Sequence, residues 1–130
     1  MRVGEEMGPL PFTPTSERVR EFCRAWGAED AGRFTSEEAA RREGFPGAIV
    51  PGIMSMALLA RLLGWWAPAH TLKSLDAVFR QFVFHNSPLL LKGRVTRKTV
   101  ADGEGVVEAD LFLEGEDGGQ PVAAKAVFTL

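Results

Sequence analysis

Three groups of residues in this chain of 130 residues are of types that can move a proton or hold a ligand. The neighbouring carboxylates Glu29 and Asp30 fall in the glycine-bounded stretch Gly27-Ala28-Glu29-Asp30-Ala31-Gly32, where they read as general acid/base groups or, more plainly, as solvated loop carboxylates. His70 and His85 are the two imidazoles, the side chains that ordinarily titrate near neutral pH. His85, in Phe84-His85-Asn86-Ser87, is either a polar turn residue or a replacement base reaching a site from another strand. His70, just after Trp65-Trp66-Ala67-Pro68, is expected to meet helix carbonyls. The third group is Pro51-Gly52-Ile53. A helix opening on proline leaves its next amides without intrahelical partners at the positive end of its dipole, so the Gly52 and Ile53 N–H groups can donate to a carbonyl oxygen. The plainer reading of Gly52 is a helix start or a close-packing point.

Other chemistries find little support. Cys23 is the single cysteine, so no internal disulfide can form, and its place on an apolar helix face makes it core rather than nucleophile. The two histidines stand far apart without flanking ligands, and no metal site or cofactor is expected. Fifteen basic and 17 acidic residues leave a net charge of -2, without the footprint of a nucleic-acid binder. Lys92, Arg94, Arg97 and Lys98 read as a solvated strand face, or as cations for the phosphates of a coenzyme A or carrier-protein arm. The apolar run of residues 53–63 is broken by Ser55 and Arg61 and is too short to span a membrane. The lead bearing Pro9, Pro11 and Pro14 does not read as a signal peptide, so a reducing, cytoplasmic setting is expected.

The elements that must position these groups follow from periodicity. After the proline-rich lead, Thr13, Thr15 and Ser16 offer caps to a helix with Val19, Phe22, Cys23 and Trp26 on its apolar face. Thr35-Ser36-Glu37-Glu38 has capping-box spacing, with Thr35 placed to accept from the Glu38 amide, and opens a polar helix closing at Gly44. A third helix, from Gly52 to Trp66, is apolar on nearly every side and should be buried all round, with Trp65 and Trp66 first as core anchors, otherwise as interface anchors or walls of an acyl tunnel. The period then changes to two. Residues 72–84 alternate as one strand and 88–100 as another; 104–114 follow with Val107, Ala109, Leu111 and Leu113 on the core side. Residues 121–130 close the chain with Val122, Ala124, Ala126 and Phe128 inward, against Lys125 and Thr129. Helices followed by a meander predict one α+β domain over residues 1–130, an antiparallel sheet packed on the apolar helix.

Five pieces at compatible spacing are similar to the MaoC-like hydratase family. They are the 27–34 loop, Glu38-Ala39-Ala40, Gly44-Phe45-Pro46-Gly47, Ile49-Val50-Pro51-Gly52-Ile53-Met54, and the strand text Phe79-Arg80-Gln81-Phe82-Val83-Phe84, where Phe82 replaces the family's usual proline. The resemblance implies a hot-dog fold, a curled antiparallel sheet wrapped around a central apolar helix. It also implies edge-to-edge pairing with a second subunit, as a homodimer or as a heterodimer with a catalytic homologue.

The resemblance further implies an acyl thioester of coenzyme A or a carrier protein as the molecule bound. Adding water to an enoyl thioester needs a base for the water, an acid for the α carbon and donors to the thioester oxygen. The family uses an Asp and a His for the first two. Counted back from Glu38-Ala39-Ala40 without gaps, those positions fall on Glu29 and Phe34; a one-residue shift brings Asp30 and Thr35 instead. Phe34 cannot transfer a proton, so the dyad is broken, whereas Pro51, Gly52 and Ile53 retain the oxygen-binding helix start. Three functions remain open: a hydratase/dehydratase using Asp30, Glu29 or His85, a non-catalytic acyl-binding subunit, and an enzyme turned to thioester hydrolysis or a biosynthetic dehydration or cyclisation.

Overall fold

The computed structural model describes residues 1–28 and 30–130. Five antiparallel strands, β1 (Glu6–Phe12), β2 (Thr71–Phe79), β3 (Leu89–Ala101), β4 (Glu104–Glu114) and β5 (Val122–Thr129), form one sheet in the order β1-β3-β4-β5-β2. Three helices, α1 (Ser16–Ala25), α2 (Glu37–Arg42) and α3 (Gly52–Trp66), lie between β1 and β2 in the chain, with a single 3-10 turn at Gly32–Phe34.

Alternation sets the inner side of the sheet. Val107, Ala109, Leu111 and Leu113 of β4 and Val122, Ala124, Ala126 and Phe128 of β5 are all buried, in one cluster with Met54, Leu58, Leu59, Leu62 and Leu63 of α3. The expected β4 and its inward face are found as read, because Asp102 (φ 52) and Gly103 (φ 78) make the tight turn that fixes the register of β3 on β4. Gly93 of β3 must lack a side chain, since a Cβ there would lie 2.7 Å from Leu111 Cδ2 and 3.1 Å from Met7 Sδ. Lys125 is exposed as expected, but Thr129 is buried, paired with Thr71 of β2 and Val106 of β4.

Four expectations are corrected. The proline-rich lead is a strand: β1 pairs with β3, and its Pro9 and Pro11 are exposed at a sheet edge, where a missing N–H costs no ladder bond. The helix α3 is not buried all round; Ile53 is 47% and Trp65 57% exposed, so Trp65 is a surface residue while Trp66 packs partly against the core. The cap of α2 is Ser36, whose hydroxyl accepts from the Ala39 amide at 3.1 Å; Thr35 accepts instead from the Ala31 amide. The strand β2 stops at Phe79, where the Arg80 and Gln81 amides turn to the Pro121 carbonyl. The cap of α1 is Thr15, which accepts from the Arg18 amide.

A brace ties the helical half to the sheet. The Val50 amide donates to Val83 O at 2.7 Å and the His85 amide to Ala48 O at 3.2 Å, around an antiparallel bridge of Ile49 with Phe84. The buried His85 ring lies between Phe34 O, 2.8 Å from Nε2, and Ser16 Oγ, 3.0 Å from Nδ1. A carbonyl only accepts, so Nε2 carries the donated hydrogen and Nδ1 accepts from the Ser16 hydroxyl. One ring thus holds the start of α1 and the 3-10 turn against the segment after β2.

Two predictions follow from this packing. In urea unfolding, Phe128→Ala should lose about 3–5 kcal/mol by leaving a cavity in the core, and Val100→Ala, at an exposed position, about 0.5 kcal/mol or less; equal losses would contradict the assigned core. His85→Ala strands the Phe34 carbonyl and should cost about 1–3 kcal/mol, against no loss if the ring were an idle surface group.

Candidate functional site

The start of α3 has no side-chain cap. Pro51, in extended conformation (φ −59, ψ 140), ends the 48–50 segment, and its carbonyl receives the Met54 amide at 3.0 Å and the Ser55 amide at 3.2 Å. The Gly52 and Ile53 amides make no hydrogen bond among the described residues. Both therefore sit, unsatisfied, at the positive end of a helix of 15 residues. Gly52 is a place of close approach: a Cβ would come within 3.1 Å of Phe79 Cε1, so the glycine lets that ring lie against the helix start.

A cavity of about 210 Å³ opens at this point, with Phe34, Val50, Gly52, Ser55, Phe79 and Val83 in its wall. At its rim the Arg33 guanidinium bonds Glu43 at 2.6 Å and stands 5.7 Å from the centre of the Phe45 ring. Phe45 in turn meets Phe82 edge to face at 4.9 Å.

The structure thus brings Phe34 and Gly52 to one cavity, with Pro51 buried behind them. Ile53 is half exposed and is not among the residues that line the cavity. Asp30 is exposed and does not line the cavity, Glu29 lies outside the described residues, and His85 has both ring nitrogens engaged in the brace. His70 meets the Ala67 carbonyl with Nδ1 at 2.7 Å. Burial pushes the Cys23 thiol up from its ordinary range, keeping it protonated and unreactive at neutral pH. Lys92 pairs with Glu114, and Arg97 lies 3.7 Å from Glu108 along the β3–β4 ladder, remote from the cavity wall.

One residue of the wall enters the sequence reading only as a break in an apolar run. Ser55 is a hydroxyl in an otherwise apolar run, Ile53-Met54-Ser55-Met56-Ala57-Leu58, one turn past the helix start. That isolated polar position in a core helix is the signal that could have found it. Among the described residues, no three His, Cys, Asp or Glu side chains gather as a metal site requires, and no helix is long and apolar enough to cross a membrane.

A family model described as MaoC like domain matches residues 34–115, which carry α2, α3 and the strands β2, β3 and β4. No curated protein matches the sequence. Among solved structures, the (R)-hydratase from A. caviae involved in PHA biosynthesis is similar with a TM-score of 0.87 at 20% identity, over 100% of this chain and 97% of that one. The ChsH1-ChsH2 complex from Mycobacterium tuberculosis gives 0.87 at 18% identity over 99% and 98% of the two chains. The C-terminally truncated HadBC (3R-hydroxyacyl-ACP dehydratase) complex from the same organism gives 0.84 at 21%, over 98% and 96%. These likenesses establish the hot-dog fold, and the family match shows that the chain belongs to the MaoC-like hydratase/dehydratase family.

Proposed function

We propose that the chain is the acyl-thioester-binding subunit of a hydratase/dehydratase pair, holding the thioester oxygen at the Gly52 and Ile53 amides while a second MaoC-like subunit supplies the proton transfers. One observation carries this reading. Among the described residues, the polar side chains around the cavity are Arg33, Ser55 and Gln81, none of which is a general acid or base of the Asp/His kind. Phe34, at the position where the resemblance puts the family's histidine, contributes an apolar ring to the same wall.

The surface beside the cavity favours a partner. Of the two sheet edges, β1 carries Pro9 and Pro11, which blunt it. The other, β2, has no proline over its nine residues and leaves Leu72, Val78 and Phe79 exposed, with Phe82 just beyond it. Ile53 and Trp65 add apolar surface from α3. Phe79 and Phe82 belong both to this surface and to the cavity wall, so a subunit paired along β2 stands next to the bound thioester. The similarity to the solved ChsH1-ChsH2 and HadBC complexes supports a heterodimer with a catalytic homologue, with a homodimer as the other assembly. Either coenzyme A or a carrier-protein arm can present the thioester, and a reducing cytoplasmic setting suits the free Cys23 thiol.

The test is to titrate the purified chain with crotonyl-coenzyme A in a calorimeter and to follow the enoyl absorbance in parallel. Binding without turnover is expected, with loss of the double bond appearing once a dyad-bearing MaoC-like subunit is added. Turnover by the chain alone, abolished in the Glu29→Gln, Asp30→Asn double variant, would overturn the subunit reading in favour of a self-sufficient enzyme.

A further inference from the structure

The hydroxyl of Ser55 has no assigned task. Ser55 is 2% exposed, lies in the cavity wall with Gly52, and makes no side-chain hydrogen bond among the described residues. No fully enclosed side-chain oxygen or nitrogen among the described residues lacks a partner, so the unbonded Ser55 hydroxyl keeps a sliver of open surface. Its position supplies the missing partner. Ser55 follows Gly52 by three residues on α3, so the two stand one above the other on the same helix face. The Cα–Cβ bond of a helical residue tilts toward the helix N-terminus, which carries the Ser55 Oγ toward the turn that bears the free Gly52 and Ile53 amides.

We infer that Ser55 Oγ is a third donor to the ligand, completing with the two amides a pocket for one carbonyl oxygen. This rests on the thioester-binding reading and adds a residue to it. Three donors around one oxygen suit an acceptor that gains negative charge and a third lone pair, which is the thioester carbonyl oxygen as it is drawn toward an enolate. The hydroxyl transfers no proton in this role and needs no base beside it, in keeping with the engagement of both His85 nitrogens elsewhere. Its small size matters too: with Val50, Phe34 and Val83 around it, a longer polar side chain would fill the space that the thioester must enter.

The experiment uses the full chain and its Ser55→Ala variant with crotonyl-coenzyme A labelled with carbon-13 at the thioester carbonyl. Affinity is read by calorimetry and carbonyl polarisation by difference infrared spectroscopy. In the natural chain, binding should move the carbonyl band to lower wavenumber. In Ser55→Ala the band should move part of the way back and affinity should fall roughly five- to tenfold, the worth of one neutral hydrogen bond. An unchanged band in a variant that binds as well as the natural chain would remove Ser55 from the site while leaving thioester binding intact. Weaker binding with an unchanged band would make Ser55 a packing residue and equally overturn the inference. No binding by the natural chain would instead overturn the thioester reading, and this inference with it.

Discussion

Burying the apolar stripe of α3 against the inner side of the sheet decides where that helix can begin, and the rest of the molecule is arranged around that beginning. Met54, Leu58, Leu59, Leu62 and Leu63 are withdrawn from solvent together with the inward residues of β3, β4 and β5. Each such side chain contributes about 1.5–3 kcal/mol relative to exposure, so the register of the helix on the sheet is strongly specified. Pro51 then sets the first turn at a fixed point, and because it offers no side-chain cap, two amides stay open. The brace of Val50 on Val83 and His85 on Phe34 holds the surrounding wall in place. A helix start with unsatisfied donors beside an apolar wall is suited to an uncharged carbonyl group on an apolar chain.

The chemistry that this arrangement lacks is as informative as what it has. Hydration requires a proton taken from water and one delivered to the α carbon, and among the described residues the cavity presents aromatic rings, a hydroxyl, an amide and a guanidinium engaged with Glu43. His85 lies behind the Phe34 carbonyl, yet its ring is spent on structure: the geometry that would make it a base also requires a free ring nitrogen. In the proposed pair, binding and proton transfer are separated in space, and the exposed strand β2, with Phe79 in the cavity wall, is where a second subunit would join the first.

Much of the fold was legible. Strict two-residue alternation marked β4 and β5, and the Asp102-Gly103 turn marked the hairpin between β3 and β4, because local pattern and tertiary burial agree there. Elsewhere they diverge. Prolines hid β1, since edge position removes the usual objection to them. Hydrophobicity on every side of α3 suggested full burial, but Ile53 and Trp65 are apolar for a surface that the lone chain leaves open. Capping fell on Ser36 rather than Thr35 because the preceding 3-10 turn takes the Thr35 hydroxyl for itself. For the site, the Pro-Gly helix start was readable from residue types alone. The brace at His85 was not, because it depends on two residues 51 positions apart in the chain, and Ser55 could be weighed only once the cavity gave its hydroxyl a direction.

The most direct measurement is a nitrogen-15 NMR titration of the chain with butyryl-coenzyme A, a saturated thioester that undergoes no hydration. The account predicts that the largest downfield amide proton shifts fall on Gly52 and Ile53, as new hydrogen-bond donors to the thioester oxygen. Shifts confined to the outer face of the sheet around Arg94 and Lys125, with Gly52 and Ile53 unmoved, would contradict it.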